Sequence, residues 1–208
     1  MQLGTVGSDE VHVWLVSLDR LEGTAAQLPP PDRARAERYL NPQAMERWVA
    51  SRLALGQILA KYLHRPASTI EIAEEEGGKP RLPGRELEFN LSHSGDLALV
   101  AVSQRAVGVD VERIEPARDL LAIAERSFGE AEVARVRDAA PHERAATFYE
   151  EWTRHEARLK CLGVGLAGPE PAPGASVAVR NLEVPSGYAA AVAVAGEAIG
   201  ALRCWTML

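Results

Sequence analysis

The stretch VGVDVERIEP, residues 107–116, combines the pattern of a buried β-strand with two acidic side chains. Side chains alternate between the two faces of a strand, so the valines share one face while Asp110 and Glu112 share the other. Two carboxylates about 7 Å apart on one face repel each other unless water, a basic side chain or a cation compensates their charge. The fold therefore has to bring a compensating group to this strand.

The segments before this strand predict further strands and a long helix. Residues 11–18 alternate in the manner of a strand, and residues 97–103 form an aliphatic run typical of a buried strand. Apolar residues recur at helical spacing over about 42–63. Asp32, the last residue of the proline-rich LPPPD, is predicted to cap a helix, and residues 74–86 are predicted to form a turn-rich loop.

The segments after the strand repeat this mixture. Helical patterns cover about 117–126, 130–138 and 141–162, and the last of them ends at Gly163. Three strand patterns follow from residue 175 onward. Helices and strands thus occur on both sides of the opening stretch, as in an α+β protein.

The chain of 208 residues is long enough for one compact unit or for two halves that share a core. Because each half contains both helices and strands, we expect an α+β fold of two similar, pseudo-symmetric α/β lobes. The expected N-terminal lobe covers residues 1–104, and the expected C-terminal lobe covers residues 105–208.

The composition limits the classes of partner. A net charge of −6 and a pI near 5.5 provide no overall basic field, so neither nucleic acid nor a membrane surface is an expected partner. Seven basic residues against two acidic ones over 33–65 leave room for a local anion site. Only Cys161 and Cys204 could pair, and neither a signal peptide nor a membrane-spanning run is apparent, which predicts a cytoplasmic protein with free thiols.

The acid pair has two interpretations. An isolated D-x-E on a strand is most often solvated or paired with arginine, whereas Mg²⁺ takes few carboxylates and fills its remaining positions with water and phosphate oxygens. A third acid is available in FYEEWTRHEARLKCLG, residues 148–163, where Trp152, Glu156 and Lys160 recur every four residues along one helix stripe. Taken alone, Glu156 and Lys160 are equally typical of a surface ion pair, and Trp152 of a core residue.

Phosphate donors are concentrated in GGKPRLPGRELEFNLSHSGD, residues 77–96. Its glycine loop, together with Lys79, Ser92, His93 and Ser94, offers backbone amide, ammonium, hydroxyl and imidazole groups. Ser92 and His93 are neighbours whose side chains diverge in an extended chain, so a Ser-His-Asp triad is not favoured. The sequence also lacks zinc-type Cys/His spacing and the Walker and dinucleotide glycine fingerprints.

Taken in order, GKP, FNLSHS, VGVDVE and W-x-x-x-E-x-x-x-K-x-x-G resemble the signature of the 4′-phosphopantetheinyl transferases, of the larger, monomeric, surfactin-synthetase-activating type. The resemblance implies two pseudo-symmetric lobes with coenzyme A in the cleft between them. It further implies transfer of the 4′-phosphopantetheine arm of coenzyme A to a serine of an apo acyl or peptidyl carrier protein. Mg²⁺ would bind the pyrophosphate, and adenosine 3′,5′-bisphosphate would be released.

The resemblance also assigns residues to roles. Metal binding falls to Asp110, Glu112 and Glu156, and Lys160 is expected to approach the transferring phosphate. Coenzyme A binding falls to the N-terminal lobe, through Arg47, Arg52, Lys79, Ser92 and His93. The C-terminal lobe is assigned metal binding and catalysis, with Glu156, Lys160 and His155 as the catalytic set. His155 stands where the family usually has lysine, and the charge of a histidine depends on pH near neutrality.

Two rival functions use the same residues. A Mg²⁺-dependent pyrophosphatase or phosphodiesterase would use these acids to activate water in place of a carrier serine. A scaffold that binds coenzyme A or a carrier protein would keep the binding residues with impaired catalysis. For the transferase, the proton of the carrier serine would pass to Glu156 or to a water held by the metal.

Overall fold

A computed structural model describes residues 5–74, 79–115, 119–164 and 176–207 of the chain. Its strands are β1 (Glu10–Ser17), β2 (Ala73–Glu74), β3 (Pro80–Arg81), β4 (Glu88–Ser94), β5 (Leu97–Ser103), β6 (Val107–Arg113), β7 (Val177–Asn181), β8 (Tyr188–Ala195) and β9 (Ala201–Met207). Its α-helices are α1 (Pro30–Ala36), α2 (Pro42–Leu63), α3 (Leu120–Ser127), α4 (Glu130–Asp138) and α5 (Arg144–Leu162). The α+β class is confirmed.

The first sheet has the strand order β4-β5-β1-β9. Neighbouring strands β4, β5 and β1 run antiparallel, whereas β9 pairs with β1 in parallel. Helix α2 covers one face of this sheet, because its buried residues Leu55, Ile58 and Leu59 share a hydrophobic core with Phe89 and Val100 of the strands. The amphipathic period of α2 therefore fixes which face of the helix meets the sheet.

The second sheet has the order β6-β8-β7, with both pairs antiparallel. Its valines form a core with those of the first sheet, since Val109 and Val192 are fully buried in one cluster with Val13. Helix α5 covers the other face, where Ala157 and Cys161 pack against Ala191. Small side chains on this face let the helix approach the sheet closely.

Most predicted element bounds are confirmed. Helix α2 spans residues 42–63, and the Asn41 side chain caps it by accepting from the Ala44 amide. Helix α5 ends at Gly163, whose φ of 72° is the left-handed conformation that glycine adopts easily. The predicted cap at Asp32 is wrong, because helix α1 begins two residues earlier at Pro30. Residues 75–78 of the predicted loop and 117–118 of the predicted helix lie outside the described residues.

The end of the chain returns to the first sheet. Residues 201–207 were expected in the C-terminal lobe, but as β9 they pair with β1, in a register that aligns Ala201 with Glu10. The first lobe thus gains a strand from the last residues of the chain. Among the described residues, no helix has the length and apolar character needed to cross a membrane.

Gly108 in β6 lies directly beneath α5. A Cβ atom at this position would overlap the carbonyl oxygen of Ala157 and the amide nitrogen of Cys161, and would lie 2.9 Å from the carbonyl carbon of Lys160. Backbone atoms of a packed helix cannot rotate away from such an overlap. We expect Gly108→Ala to lower the free energy of unfolding by about 3 kcal/mol in urea denaturation.

Gly56→Ala in α2 is the matched control for this substitution. A Cβ atom there would sit 3.7 Å from the Ala67 Cβ, which is ordinary van der Waals contact. Alanine is the better helix former, so this variant is expected to gain about 0.5–1 kcal/mol. Equal stability of the two variants would contradict the close approach of α5 to β6.

A buried polar network lies between α2 and the first sheet. The Tyr62 hydroxyl oxygen accepts from Trp14 Nε1 at 2.9 Å and lies 2.9 Å from His12 Nδ1, while His12 Nε2 lies 3.2 Å from a Glu10 carboxylate oxygen. Burial raises the pKa of Tyr62 to about 12 and lowers the pKa of His12, which is 4% exposed. If His12 is neutral, donates from Nε2 to Glu10 and accepts the Tyr62 proton at Nδ1, each polar group of this network has a hydrogen-bond partner.

This network predicts a loss of stability in acid. Because the pKa of His12 is lower in the folded protein, the unfolded chain takes up a proton first as the pH falls below about 6.5. The free energy of unfolding is expected to fall between pH 7.5 and 5.5, by up to about 1.4 kcal/mol per pH unit from this histidine. Comparing urea denaturation of wild type and His12→Gln isolates the contribution, since the variant should show a shallower pH dependence. An identical pH dependence in the two proteins would contradict it.

Candidate active site

The two acids of the opening stretch lie where the two sheets meet. Strand β6 is an edge strand of the second sheet, and β4 is an edge strand of the first. Side chains of β4 reach across to β6, where Ser92 Oγ donates to Asp110 Oδ1 at 2.8 Å and Ser94 Oγ donates to Glu112 Oε2 at 2.8 Å. The carboxylates are therefore held by donors from the opposite sheet.

Asp110 is almost fully buried, with 2% of its surface exposed. Its counter-charge is Lys160 of α5, whose Nζ lies 2.5 Å from Asp110 Oδ1 and 3.1 Å from Ser92 Oγ. Burial raises the pKa of Asp110 although the Lys160 charge and the hydrogen bonds oppose the shift. The other carboxylate oxygen, Oδ2, is buried without a hydrogen-bond partner among the described residues. An orphaned carboxylate oxygen is costly unless a further group binds it.

Glu156 lies one helical turn before Lys160 and faces the same cluster. Burial raises the pKa of this half-buried carboxyl, and the negative charges of Asp110 and Glu112 raise it further, against the opposing charge of Lys160. Its Oε1 is a second buried oxygen that lacks a partner in the described part of the chain. Trp152, one turn earlier, is half-buried, stacks on Phe148 and packs against the edge of a hydrophobic cluster.

The donor set fits a hard divalent cation. Carboxylate oxygens are the ligands that Mg²⁺ takes, and Asp110 Oδ2 and Glu156 Oε1 are both unpartnered and buried. Across the described ranges, no three acidic, histidine or cysteine side chains already stand close enough together to chelate one ion. Glu156 is near enough to Asp110 and Glu112 for their charges to raise its pKa, but the three carboxylates would have to move closer together before all of them could bind one ion.

Two of the predicted coenzyme A residues lie at the rim of this cluster. Surrounding protein atoms partly desolvate the His93 imidazole and lower its pKa, and the positive charges of Lys160 and Arg47 lower it further. The side chain nevertheless remains accessible to solvent. Arg47 is anchored by Asp96 of the β4–β5 turn, with Nη2 2.6 Å from Asp96 Oδ1. Arg47 and Lys160 thus form a cationic border beside the acids, and His93, with its lowered pKa, is a neutral donor at this border near pH 7.

Arg52 is not brought to this cluster. It lies five positions after Arg47 on α2, which turns its side chain by about 140°. Its guanidinium forms two hydrogen bonds with Asp32, at 3.0 and 3.2 Å, on the wall of a cavity of about 990 Å³ that Arg35 and Arg38 also line. Asp32, which was predicted to cap a helix, thus pairs with Arg52, which was predicted to bind coenzyme A.

Lys79 faces the backbone of the second lobe. Its Nζ donates to the carbonyl oxygens of Val107 at 3.1 Å and of Cys161 at 3.4 Å. These carbonyls stand at the start of β6 and near the end of α5, so the ammonium ties both elements to the segment before β3. Gly78 of the GKP motif lies outside the described residues.

His155 occupies a different face of α5 from Glu156. Its ring meets the edge of Phe128, with centroids 5.8 Å apart, and lines a cavity of about 310 Å³ with Arg158 and Glu132. Burial lowers the pKa of His155, and the charge of Arg158 lowers it further. The structure therefore does not bring His155 together with the acids.

Ser92 and Ser94 have roles beyond the sequence interpretation. The Ser92 hydroxyl donates to Asp110 and accepts from Lys160 and from the Val111 amide, so its single proton is already used. Ser94 is named above only as a possible phosphate donor and Asn90 is not named at all, although N-x-S-x-S places Asn90, Ser92 and Ser94 on one face of β4. This alternation of polar residues is the sequence signal that could have identified Asn90 and Ser94 as residues facing the acids.

A cavity of about 250 Å³ opens beside Glu112 and Ser94. Its other walls combine the charged Arg113 and Glu115 with apolar and aromatic side chains, among them Leu120 and Phe148. An acidic cluster, a cationic border and a cavity of mixed polarity thus lie close together beside β4 and β6.

Comparison with known proteins extends this description. Residues 12–105 match the family model described as "4'-phosphopantetheinyl transferase, N-terminal", and residues 106–198 match the model of the "4'-phosphopantetheinyl transferase superfamily". The 4′-phosphopantetheinyl transferase HetI of Nostoc sp. is 38% identical over 78% of this chain and 73% of its own length. A putative 4′-phosphopantetheinyl transferase of Synechocystis sp. is 35% identical, over 76% of this chain and 66% of the relative.

A further relative is the 4′-phosphopantetheinyl transferase AcpT of Salmonella typhimurium, which is 35% identical over 67% of this chain and 69% of its own. The two family models together span both lobes of the cleft, and the model of the second lobe includes Asp110, Glu112, Glu156 and Lys160. The chain therefore belongs to the 4′-phosphopantetheinyl transferase family.

Proposed function

We propose that this protein transfers the 4′-phosphopantetheine arm of coenzyme A to a serine hydroxyl of an apo acyl or peptidyl carrier protein, with Mg²⁺ as cofactor. Adenosine 3′,5′-bisphosphate is the other product. The observation that carries the proposal is the pair of buried, unpartnered oxygens, Asp110 Oδ2 and Glu156 Oε1, beside a cationic border. Such a cluster suits a diphosphate that arrives together with a divalent cation.

Asp110, Glu112 and Glu156 would hold the cation. When bound, Mg²⁺ neutralises charge on the pyrophosphate of coenzyme A. Phosphoryl transfer depends mainly on positioning and charge neutralisation, so the residues around this position carry most of the catalytic task. The Asp110–Lys160 ion pair keeps the ammonium at the cluster before substrate arrives.

Glu156 is suited to accept the proton of the carrier serine. A carboxyl whose pKa is raised by burial and by neighbouring acids is a stronger base than an exposed one. In this proposal the proton moves from the serine hydroxyl to a Glu156 carboxylate oxygen as the serine oxygen attacks the phosphorus. Lys160 stabilises the charge that develops on the leaving phosphate.

The border residues orient coenzyme A. Arg47 and His93 face the cluster from the first lobe and offer donors to phosphate groups. The cavity beside Glu112, which has both polar and apolar walls, gives the phosphopantetheine arm, or the segment that carries the acceptor serine, a place to approach the acids. Arg52 and Lys79 contribute indirectly through Asp32 and through the backbone of the second lobe.

We also propose that the protein acts as a cytoplasmic monomer. All the acids and cations of the cluster come from one chain, so a second copy is not needed to complete the site. Cys161 is buried and Cys204 exposed, and both are free thiols, which agrees with a reducing compartment.

Mass spectrometry of the carrier tests this function. The protein is mixed with an apo carrier, coenzyme A and Mg²⁺, and a gain of one phosphopantetheine arm on the carrier is the expected result, abolished by EDTA. Release of free 4′-phosphopantetheine without a carrier would instead identify a hydrolase. Tight coenzyme A binding without transfer to fatty acid, polyketide or nonribosomal peptide carriers would identify a scaffold.

A further inference from the structure

Strands β4 and β6 adjoin without a backbone ladder between them in the described sheets. Side chains of β4 take the place of that ladder, because alternate amides of β6 donate to them. The three bonds run from Val109 to Asn90 Oδ1 at 2.9 Å, from Val111 to Ser92 Oγ at 3.4 Å and from Arg113 to Ser94 Oγ at 3.1 Å. We call Asn90, Ser92 and Ser94 the side-chain ladder.

The ladder fixes the direction in which each serine hydroxyl donates its proton. A hydroxyl has one proton and two lone pairs, whereas a backbone N–H group can only donate. Because Ser94 Oγ accepts from the Arg113 amide, its proton is available for the Glu112 carboxylate 2.8 Å away. Ser92 repeats this arrangement with Asp110, and its second lone pair accepts from Lys160.

We propose that Ser94 is a positioning residue that fixes the Glu112 carboxylate for cation binding. Its hydroxyl accepts from the Arg113 amide and donates to Glu112, and we call these two bonds the hydroxyl relay. The proposal rests on the proposed function, in which Glu112 is a metal ligand. Donors that orient metal-binding carboxylates affect metal affinity although they do not touch the ion. Asn90 supports the relay by pairing the buried Val109 amide, which keeps β6 in register with β4.

The relay joins two lobes of the molecule. Ser94 belongs to the first sheet and Glu112 to the second, so the orientation of this carboxylate depends on how the two sheets dock. Coenzyme A in the cleft would contact both lobes. The geometry of the acid cluster is therefore sensitive to the docking of the sheets that also shape the cofactor cleft.

Ser94→Ala, Ser94→Thr and Ser103→Ala form the test set. The first removes the relay, the second restores a hydroxyl in a residue type that strands favour, and the third is a matched control. Ser103 Oγ also accepts a backbone amide, that of Arg105, but it donates to the Glu10 carbonyl oxygen, outside the acid cluster. All variants are made in the full chain.

Two measurements are made on each variant. Electron paramagnetic resonance titration with Mn²⁺ in the presence of coenzyme A gives a metal dissociation constant without turnover. Arm transfer at varied Mg²⁺ gives the half-saturating Mg²⁺ concentration and the rate at saturation. For Ser94→Ala we expect both metal constants to rise roughly tenfold, while the rate at saturating Mg²⁺ stays within about threefold.

The remaining variants decide the interpretation. Ser94→Thr should restore both metal constants, and Ser103→Ala should leave them unchanged even if it unfolds at a lower temperature. Unchanged metal constants in Ser94→Ala, or no Mn²⁺ binding by the wild type, would overturn the proposal. If no carrier gains an arm, the transferase function fails while the Mn²⁺ constants still test the relay.

Discussion

Asp110→Ala is expected to lose arm transfer by roughly 10³-fold or more, the scale on which phosphoryl transfer depends on charge-stabilising groups. The substitution removes the buried Oδ2, a proposed cation ligand, and the carboxylate that anchors Lys160 at 2.5 Å. Two charges of the cluster are therefore disturbed by one change. The measurement is the initial rate of carrier modification by mass spectrometry, at saturating coenzyme A and Mg²⁺.

The fold is expected to survive this substitution. Burial raises the pKa of Asp110, so the ionised carboxylate is less stable in the folded protein than in the unfolded chain at neutral pH. Lys160, 29% exposed, can turn its ammonium to solvent when the partner is removed. The midpoint of thermal unfolding should stay within about 5 °C of wild type.

Asp138→Ala is the control for the loss of a carboxylate. Asp138 is exposed at the end of α4, and we expect wild-type transfer and wild-type stability from this variant. Near-normal transfer by Asp110→Ala would remove Asp110 from the site. Loss of both transfer and folding in Asp110→Ala would instead assign it a structural role.

Glu156→Gln is expected to reduce arm transfer by about 10²–10⁴-fold, the range for loss of a general base. Glutamine preserves the shape of the side chain but removes its negative charge and its basicity. The pKa of Glu156 is raised by burial and by Asp110 and Glu112, which gives this carboxyl the basicity that the substitution eliminates. The rate is measured as for Asp110→Ala, across a series of Mg²⁺ concentrations.

The Mg²⁺ series separates two roles of Glu156. If the carboxylate serves only as a ligand, high Mg²⁺ should restore much of the rate, whereas a base cannot be replaced in this way. We expect high Mg²⁺ to restore little of the transfer rate of Glu156→Gln. Glu150→Gln, an exposed position on the same helix, should transfer at the wild-type rate. Full recovery of Glu156→Gln at high Mg²⁺ would exclude the base.

Local periodicity predicted much of the fold. Apolar spacing gave the bounds of α2, and the alternation over 107–113 gave β6. Each pattern repeats within one element, so neighbouring residues suffice to define it. The parallel pairing of β9 with β1 escaped prediction because it joins the two ends of the chain, and no local pattern encodes that contact.

The roles of basic residues were less predictable. Arg52 pairs with Asp32 and Lys79 with backbone carbonyls, although both fit a phosphate-binding motif. A long cationic side chain has many rotamers, and its partner is whichever acceptor the tertiary structure places within reach. His155 is similar, since its proximity to Phe128 depends on how the segment between α3 and α4 packs on α5.

Residue spacing alone places Asp110 and Glu112 on one strand face and Glu156 and Lys160 on one helix stripe. These relations follow from the periods of strand and helix, which hold wherever the element lies. Spacing does not reveal that Ser92 and Ser94, each 18 positions before its acid, hold the carboxylates of Asp110 and Glu112. Their hydrogen bonds depend on the docking of two sheet edges, and docking is set by the packing of both lobes.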